Sequence, residues 1–233
     1  MGNVLDSIDG YIAVSRALWD IHLAHLPELR EKPSEVVYNP VTTPLKYVNV
    51  DYEEPYNSYI FYASGSNPVK GPHMILKAWE EIWRDLKDYK LYMIARKGTW
   101  VEEEAKKRGL RNIIFMEKLV GREYYDLMYR ARLVVMPSIL PEAFGRIPVE
   151  ANRLGVPAVV SNAGGLPETI VDRETGYIYD SRDTSELIGS LLRALNNSAF
   201  HRKRIHEVSL AKINPAEIIE RLLSFFESIK LRG

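Results

Sequence analysis

Residues 137–168 read PSILPEAFGRIPVEANRLGVPAVVSNAGGLPE, and this stretch decides the fold class. A loop carries Glu142. Gly145 permits a sharp turn, and Pro148 fits the first turn of a helix, where its missing N–H leaves no bond unmade. Glu150 is read into that same first turn. Two carboxylates thus approach one helix N-terminus, where free backbone N–H groups and the helix dipole favour an anion. Leu154-Gly155-Val156-Pro157 ends the helix, and Ala158-Val159-Val160 reads as a buried parallel strand. The turn Ala163-Gly164-Gly165-Leu166-Pro167-Glu168 then predicts the opening of another helix. Two helix N-termini would face one crevice at the carboxyl edge of a parallel sheet, where α/β proteins bind ligands.

Strands and helices alternate on either side of this stretch. Upstream, Leu133–Met136 reads as a strand after a helix over Tyr124–Arg130, and Asn112–Phe115 as a strand after a charged helix over Glu102–Arg108. Leu91–Ala95 is another strand. The helix before it repeats apolar residues at Met74, Ile75, Ala78, Trp79, Ile82, Trp83 and Leu86, a 3.6-residue period. Tyr59–Ala63 begins the series. Downstream come a strand at Tyr177–Tyr179 and helices at Thr184–Leu195 and Pro215–Ile229. The alternation predicts right-handed crossovers and a Rossmann-like parallel sheet with helices on both faces.

A short strand–helix–strand unit precedes this domain. Tyr11–Val14 and Glu35–Tyr38 are its strands, and Ser15 can cap the helix between them. His22 and His25 lie one turn apart on that helix. With no third ligand in the sequence they read as a helix face. Thr42–Ser58 reads as a linker, and its Tyr47, Tyr52 and Tyr56 fit either a contact surface or a partly buried connector.

Bulk composition excludes several function classes. The 233 residues carry 31 Lys plus Arg against 31 Asp plus Glu, so no field of one sign points to nucleic acid or an anionic membrane. The absence of cysteine rules out disulfides and thiolate metal sites and fits a reducing, cytoplasmic setting. The first residues lack a basic-then-apolar signal region, and no apolar run approaches membrane length. No G-x-G-x-x-G follows the first strand of the main domain, which argues against a nicotinamide dehydrogenase.

The E-AFGRIPV-E spacing from Glu142 to Glu150, the G-G-x-P-E turn, and Lys70-Gly71 after the first strand together resemble the retaining glycosyltransferases of family 4. Those enzymes have the two-lobed GT-B fold. The resemblance implies that residues 46–233 are the C-terminal lobe, which binds a nucleotide-diphosphate sugar. Residues 1–45, with their IAVS…VVYNPV pattern, would be a remnant of the N-terminal lobe and the linker. Glu142 would touch the donor sugar as the catalytic carboxylate, and Glu150 would hold the ribose hydroxyls. Phe144, Gly145 and Arg146 lie between them in the same motif, and Gly164 and Gly165 form the turn beyond. Lys70 would reach the diphosphate as a point charge. Lys118 and Leu119 fall where backbone groups of the family contact the nucleobase, so no side chain reveals the base.

This chain departs from the family at Gly65, which stands where an Arg usually precedes the lysine by five residues. Arg146, Lys97 or backbone N–H groups are the candidates to compensate. The turn at Ala95-Arg96-Lys97-Gly98 is likewise an imperfect second G-x-G. The resemblance implies no cofactor beyond the donor and no metal, and no Asp-x-Asp cluster is present. The acceptor, a glycan, lipid or protein, would be held by residues of an N-terminal lobe. A homodimer or a separate N-lobe chain would have to supply that wall. The alternatives are a non-catalytic nucleotide-sugar-binding module and a GT-B-like sugar-nucleotide epimerase. A phosphorylase lobe would need a lysine for pyridoxal phosphate, and the sequence shows no convincing one.

Overall fold

Strands β3 (Tyr59–Tyr62), β6 (Leu133–Met136) and β7 (Ala158–Ser161) are buried at every position in the computed structural model, which describes residues 4–42 and 55–230. A strand apolar on both sides needs cover on both faces, and this places the three at the middle of the sheet. With β4 (Lys90–Ile94), β5 (Ile113–Met116) and β8 (Gly176–Tyr179), they form one six-stranded parallel sheet in the order β5-β4-β3-β6-β7-β8. Phe61 pairs with Tyr92 on one side and Val134 on the other.

Successive side chains of β3 enter opposite layers. Ile60 and Tyr62 join a core with Ile75, Leu76 and Trp79 of α2 (Pro72–Ile82), Val101 of α3 (Trp100–Lys107) and Leu187 and Leu191 of α6 (Thr184–Asn196). Tyr59 and Phe61 join Met128 and Tyr129 of α4 (Gly121–Arg130) and Ala151 of α5 (Arg146–Arg153). Helices therefore cover both faces, as expected. The crossover direction reverses between β3 and β6, which makes that junction the switch point of the sheet.

The N-terminal unit forms its own two-stranded parallel sheet from β1 (Tyr11–Ala13) and β2 (Ser34–Val36), joined through α1 (Arg16–His25). The second strand begins and ends earlier than the predicted Glu35–Tyr38; the Val37 N–H still donates to the Ala13 carbonyl at 2.9 Å, and the side chains of Val37 and Tyr38 join a cluster with Phe144 and Val149. The last helix, α8 (Pro215–Lys230), lies against this unit. Arg221 donates to the Glu35 carboxylate at 2.7 Å and to the Val36 carbonyl at 3.0 Å. A Cβ added at Gly10 would fall 2.5 Å from Ile229 Cδ1, so a larger residue there would oblige the Ile229 side chain to shift.

Three expectations are corrected. The Gly164-Gly165 turn opens a four-residue 3-10 turn, Leu166–Thr169, and no α-helix. Glu150 is the fifth residue of α5, one turn in, because the helix starts at Arg146 after Gly145 in the left-handed region (φ 93°). Helix α7 (Arg202–Lys212) was not anticipated, since its buried residues are Arg202, Ile205 and Ser209 and carry no apolar period. The linker residues 43–54, with Tyr47 and Tyr52, lie outside the described residues. Tyr56 fits the reading of a partly buried connector. Its ring lies under the Arg202 guanidinium, 3.9 Å from the centroid, and its hydroxyl donates to the Gly155 carbonyl at 2.7 Å.

Candidate donor site at the switch point

The loops after β3 and β6 meet at the switch point. Gly65 (φ 82°) and Gly71 (φ 70°) turn the first loop through conformations that side chains resist. The Tyr62 hydroxyl donates to the Gly65 carbonyl at 2.7 Å and shapes the loop from beneath. A Cβ at Gly71 would fall 1.8 Å from the Pro137 carbonyl oxygen, and the Ile139 N–H donates to the Val69 carbonyl at 3.0 Å. The two loops are thus in backbone contact, which fixes where their side chains meet.

Lys70 and Glu142 meet there as an ion pair. Lys70 Nζ lies 2.6 Å from Glu142 Oε1 and 2.8 Å from Oε2. Ser138 Oγ donates to the same Oε1 at 2.6 Å. Ser138 is wholly buried, and its carbonyl accepts from the buried Ser161 Oγ of β7 at 2.6 Å. The Glu142 carboxylate is therefore held by Lys70 and Ser138, and Ser138 is in turn anchored on β7.

Gly164 and Gly165 allow the next loop to lie on Glu142. A Cβ at Gly164 (φ 61°) would fall 2.4 Å from the Glu142 carbonyl oxygen. The Gly165 N–H donates to that carbonyl at 2.7 Å and so is engaged within the chain. Gly165 also lies close to the side chain of Ser15. Ser15 caps α1 by accepting from the Leu18 N–H at 3.0 Å, as its sequence position predicted. Glu168 points to α1 as well, where its carboxylate accepts from the N–H groups of Arg16 at 2.8 Å and Ala17 at 2.9 Å. Its negative charge sits at the positive end of that helix.

The remaining motif residues divide by position. No side chain caps α5, since Gly145 occupies its N-cap, so the first-turn N–H groups can face an anion. Arg146 is mostly exposed and lies 3.4 Å from Glu150 Oε1. Glu150 is 9% exposed, and its Oε2 accepts from the Tyr124 hydroxyl at 3.0 Å. Burial pushes the Tyr124 phenol well above its ordinary range, with the Glu150 charge adding to the effect. Tyr124 therefore stays protonated and keeps donating. Phe144 is buried and stacks on Tyr38 at 5.4 Å, so its side chain belongs to the core.

Gly65 has open space around its absent side chain. Lys97 and Lys118 are exposed. Leu119 lines a cavity of about 380 Å³ with Met116, Leu127 and Arg130, and neither Lys70 nor Glu142 is part of that lining. Among the described residues, no group of three or more His, Asp or Glu could hold a metal ion. His22 instead pairs with the Tyr11 hydroxyl, and His25 with the Ile21 carbonyl at 2.8 Å. No helix of the described residues is long and apolar enough to cross a membrane.

Ser138, Tyr124 and Ser15 were not singled out as site residues from sequence. Ser138 lies four residues before Glu142 inside the motif stretch and could have been found there. Tyr124 is 26 residues from Glu150, and only the fold brings its hydroxyl to that carboxylate.

Comparison with known proteins settles the family. The model of the glycosyl transferases group 1 matches residues 52–209, more than half of the chain. The chain belongs to that family. This group 1 glycosyl transferase chain is 36% identical over 115 residues to the glycogen synthase of Mycobacterium tuberculosis H37Rv, covering 48% of this chain and 28% of that protein. It is 26% identical over 174 residues to the uncharacterized glycosyltransferase MJ1178 of Methanocaldococcus jannaschii, covering 72% of this chain and 45% of that protein. It thus spans less than half the length of these curated relatives.

The fold matches solved GT-B-type structures. Sucrose-phosphate synthase from Thermosynechococcus elongatus superposes with a TM-score of 0.77 at 20% identity, over 98% of this chain and 60% of that one. HepE from Anabaena, solved with UDP-glucose, gives a TM-score of 0.77 at 19% identity, over 94% of this chain and 64% of that one.

Proposed function

We propose that residues 46–233 are the donor lobe of a family 4 glycosyltransferase that uses a nucleotide-diphosphate sugar and transfers the glycosyl group with retention. The observation that carries this reading is the meeting of Lys70 and Glu142 across the switch point, beside the uncapped N-terminus of α5. The diphosphate would take Lys70 and the α5 N–H groups, which stabilise charge on the departing oxygens. Glu142 would then bind sugar hydroxyls, and Glu150, held by Tyr124, would accept from the ribose. The family model and the UDP-glucose complex of HepE support this assignment. In this reading residues 1–45 belong to the acceptor lobe and the linker. No cofactor beyond the donor is needed. The absence of cysteine supports a cytoplasmic setting.

The test is calorimetric titration with UDP-glucose, GDP-mannose and ADP-glucose, each beside its bare nucleoside diphosphate. Binding of one pair, weakened by Lys70→Ala, is the expected outcome. Failure of every pair to bind would overturn the reading. The open space at Gly65 favours a second reading, a nucleotide-sugar-binding module without turnover. Transfer of labelled sugar when an acceptor lobe is supplied would exclude it.

A further inference from the structure

Lys70 and Glu142 occupy each other in the described structure, although the proposed function gives each a different task. Lys70 holds both carboxylate oxygens, and Ser138 fixes one of them from a wholly buried position. The Glu142 side chain is only 14% exposed, so water has little access to it. A ligand that draws Lys70 away leaves this carboxylate short of a partner, and a poorly solvated charge without partners is costly. A bare nucleoside diphosphate can take the lysine but offers nothing to Glu142. An intact sugar nucleotide takes the lysine and brings sugar hydroxyls that can donate to the carboxylate.

We infer that the Lys70–Glu142 pair, with Ser138 as its positioning residue, makes the site prefer the intact sugar nucleotide over the bare nucleoside diphosphate. The inference rests on the donor-site reading and deepens it. Once the sugar has left, Lys70 regains its carboxylate and the diphosphate product loses its main cation, which favours product release. Ser138 acts by keeping Oε1 fixed when the lysine moves. Its own carbonyl is anchored on β7 through Ser161, so the donor hydroxyl stays in place.

The test compares affinities of the parent, Glu142→Gln and Ser138→Ala proteins for UDP and UDP-glucose, or for whichever pair of the panel the parent binds. Glu142→Gln removes the competing charge and leaves Lys70 free. The bare diphosphate should then bind about tenfold more tightly than to the parent, while the sugar nucleotide gains less or loses affinity. The ratio of the two affinities falls towards one. Ser138→Ala takes away the partner that stays when Lys70 moves, so it should weaken the bare diphosphate more than the sugar nucleotide and raise the ratio, without changing the melting temperature by more than a few degrees. A residue with a merely structural role would weaken both ligands alike and leave the ratio unmoved.

Equal or weaker binding of the bare diphosphate by Glu142→Gln, with the parent binding normally, would overturn this inference and leave the donor site standing. A parent that binds neither ligand class would overturn both.

Discussion

At the residue scale, the crevice is built from charges held by short, fixed partners. Lys70 is the proposed diphosphate contact. Removing a charge-assisted bond costs roughly 1.5–3 kcal/mol. Lys70→Ala should therefore weaken nucleoside diphosphate binding by about one to two decades and hardly alter binding of the free nucleoside. Calorimetry showing equal loss for both would remove Lys70 from the diphosphate. Glu150 carries a separate prediction. Its carboxylate can accept from two neighbouring hydroxyls, so Glu150→Gln should reduce the preference for ribo- over 2′-deoxyribonucleotides. Tyr124→Phe should do the same to a lesser degree, since it deletes one hydroxyl and keeps the ring against Phe61. An unchanged preference in both variants would place the ribose elsewhere. Gly164→Ala tests the loop contact, because a Cβ would meet the Glu142 carbonyl at 2.4 Å and φ is 61°. The left-handed conformation alone costs roughly 1–2 kcal/mol, so melting temperature and donor affinity should fall together.

Among the elements, two contacts join segments that are far apart in the chain. Glu168 caps α1 from 152 residues away and ties the glycine turn to the N-terminal unit. Losing a helix cap costs about 1 kcal/mol. Glu168→Ala should lower stability to denaturant by about that amount and speed hydrogen exchange at the Arg16 and Ala17 amides. Unchanged exchange at those two sites would show that the cap contributes nothing in solution. Arg202 ties α7 to α4 and α5. It lies over the Tyr56 and Tyr129 rings and donates to the Tyr129 carbonyl at 2.7 Å, and a Cβ at Gly155 would fall 2.6 Å from its own carbonyl oxygen. Truncation removes a desolvated cation–π stack and leaves a buried carbonyl short of its donor. Arg202→Ala should cost about 3 kcal/mol or more, read from the denaturation midpoint.

For the whole molecule, the buried tyrosines give a pH signature. Burial pushes the Tyr56 phenol up to about 12 and raises Tyr59, Tyr62, Tyr124 and Tyr179 as well. The folded chain keeps these protons where the unfolded chain loses them, near pH 10. Above that pH the unfolded state binds fewer protons, so stability falls as pH rises. Unfolding free energy should be insensitive to these groups below about pH 9 and decline through pH 12. Tyr56→Phe should reduce part of the decline. The proposed function makes a second whole-molecule prediction. Orienting the acceptor against the anomeric carbon is worth up to roughly 7–11 kcal/mol, and the proposed reading assigns that task to the other lobe of the fold. A polypeptide of these 233 residues, assayed by itself, should bind donor and hydrolyse it slowly at most. Efficient transfer to a defined acceptor, at concentrations where sedimentation shows only monomer, would refute this.

The sequence by itself determined the alternating parallel architecture, because strands buried on both faces appear as unbroken apolar runs such as Leu133–Met136 and amphipathic helices as a 3.6-residue period. It also contained Lys70-Gly71 and the Glu142–Glu150 motif, each of them local in the chain. Tertiary structure alone decided which motif residues face the crevice. Glu168 looked like part of the donor turn, yet its carboxylate is drawn to the free N–H groups of α1. The sequence pattern puts Glu150 in the first helical turn, but α5 starts at Arg146, after Gly145 in the left-handed region. Helix α7 stayed hidden because it buries an arginine against tyrosines from other elements, and no sequence period records such a contact. The Lys70–Glu142 pair joins residues 72 positions apart, and only the reversal of strand order between β3 and β6 brings their loops together.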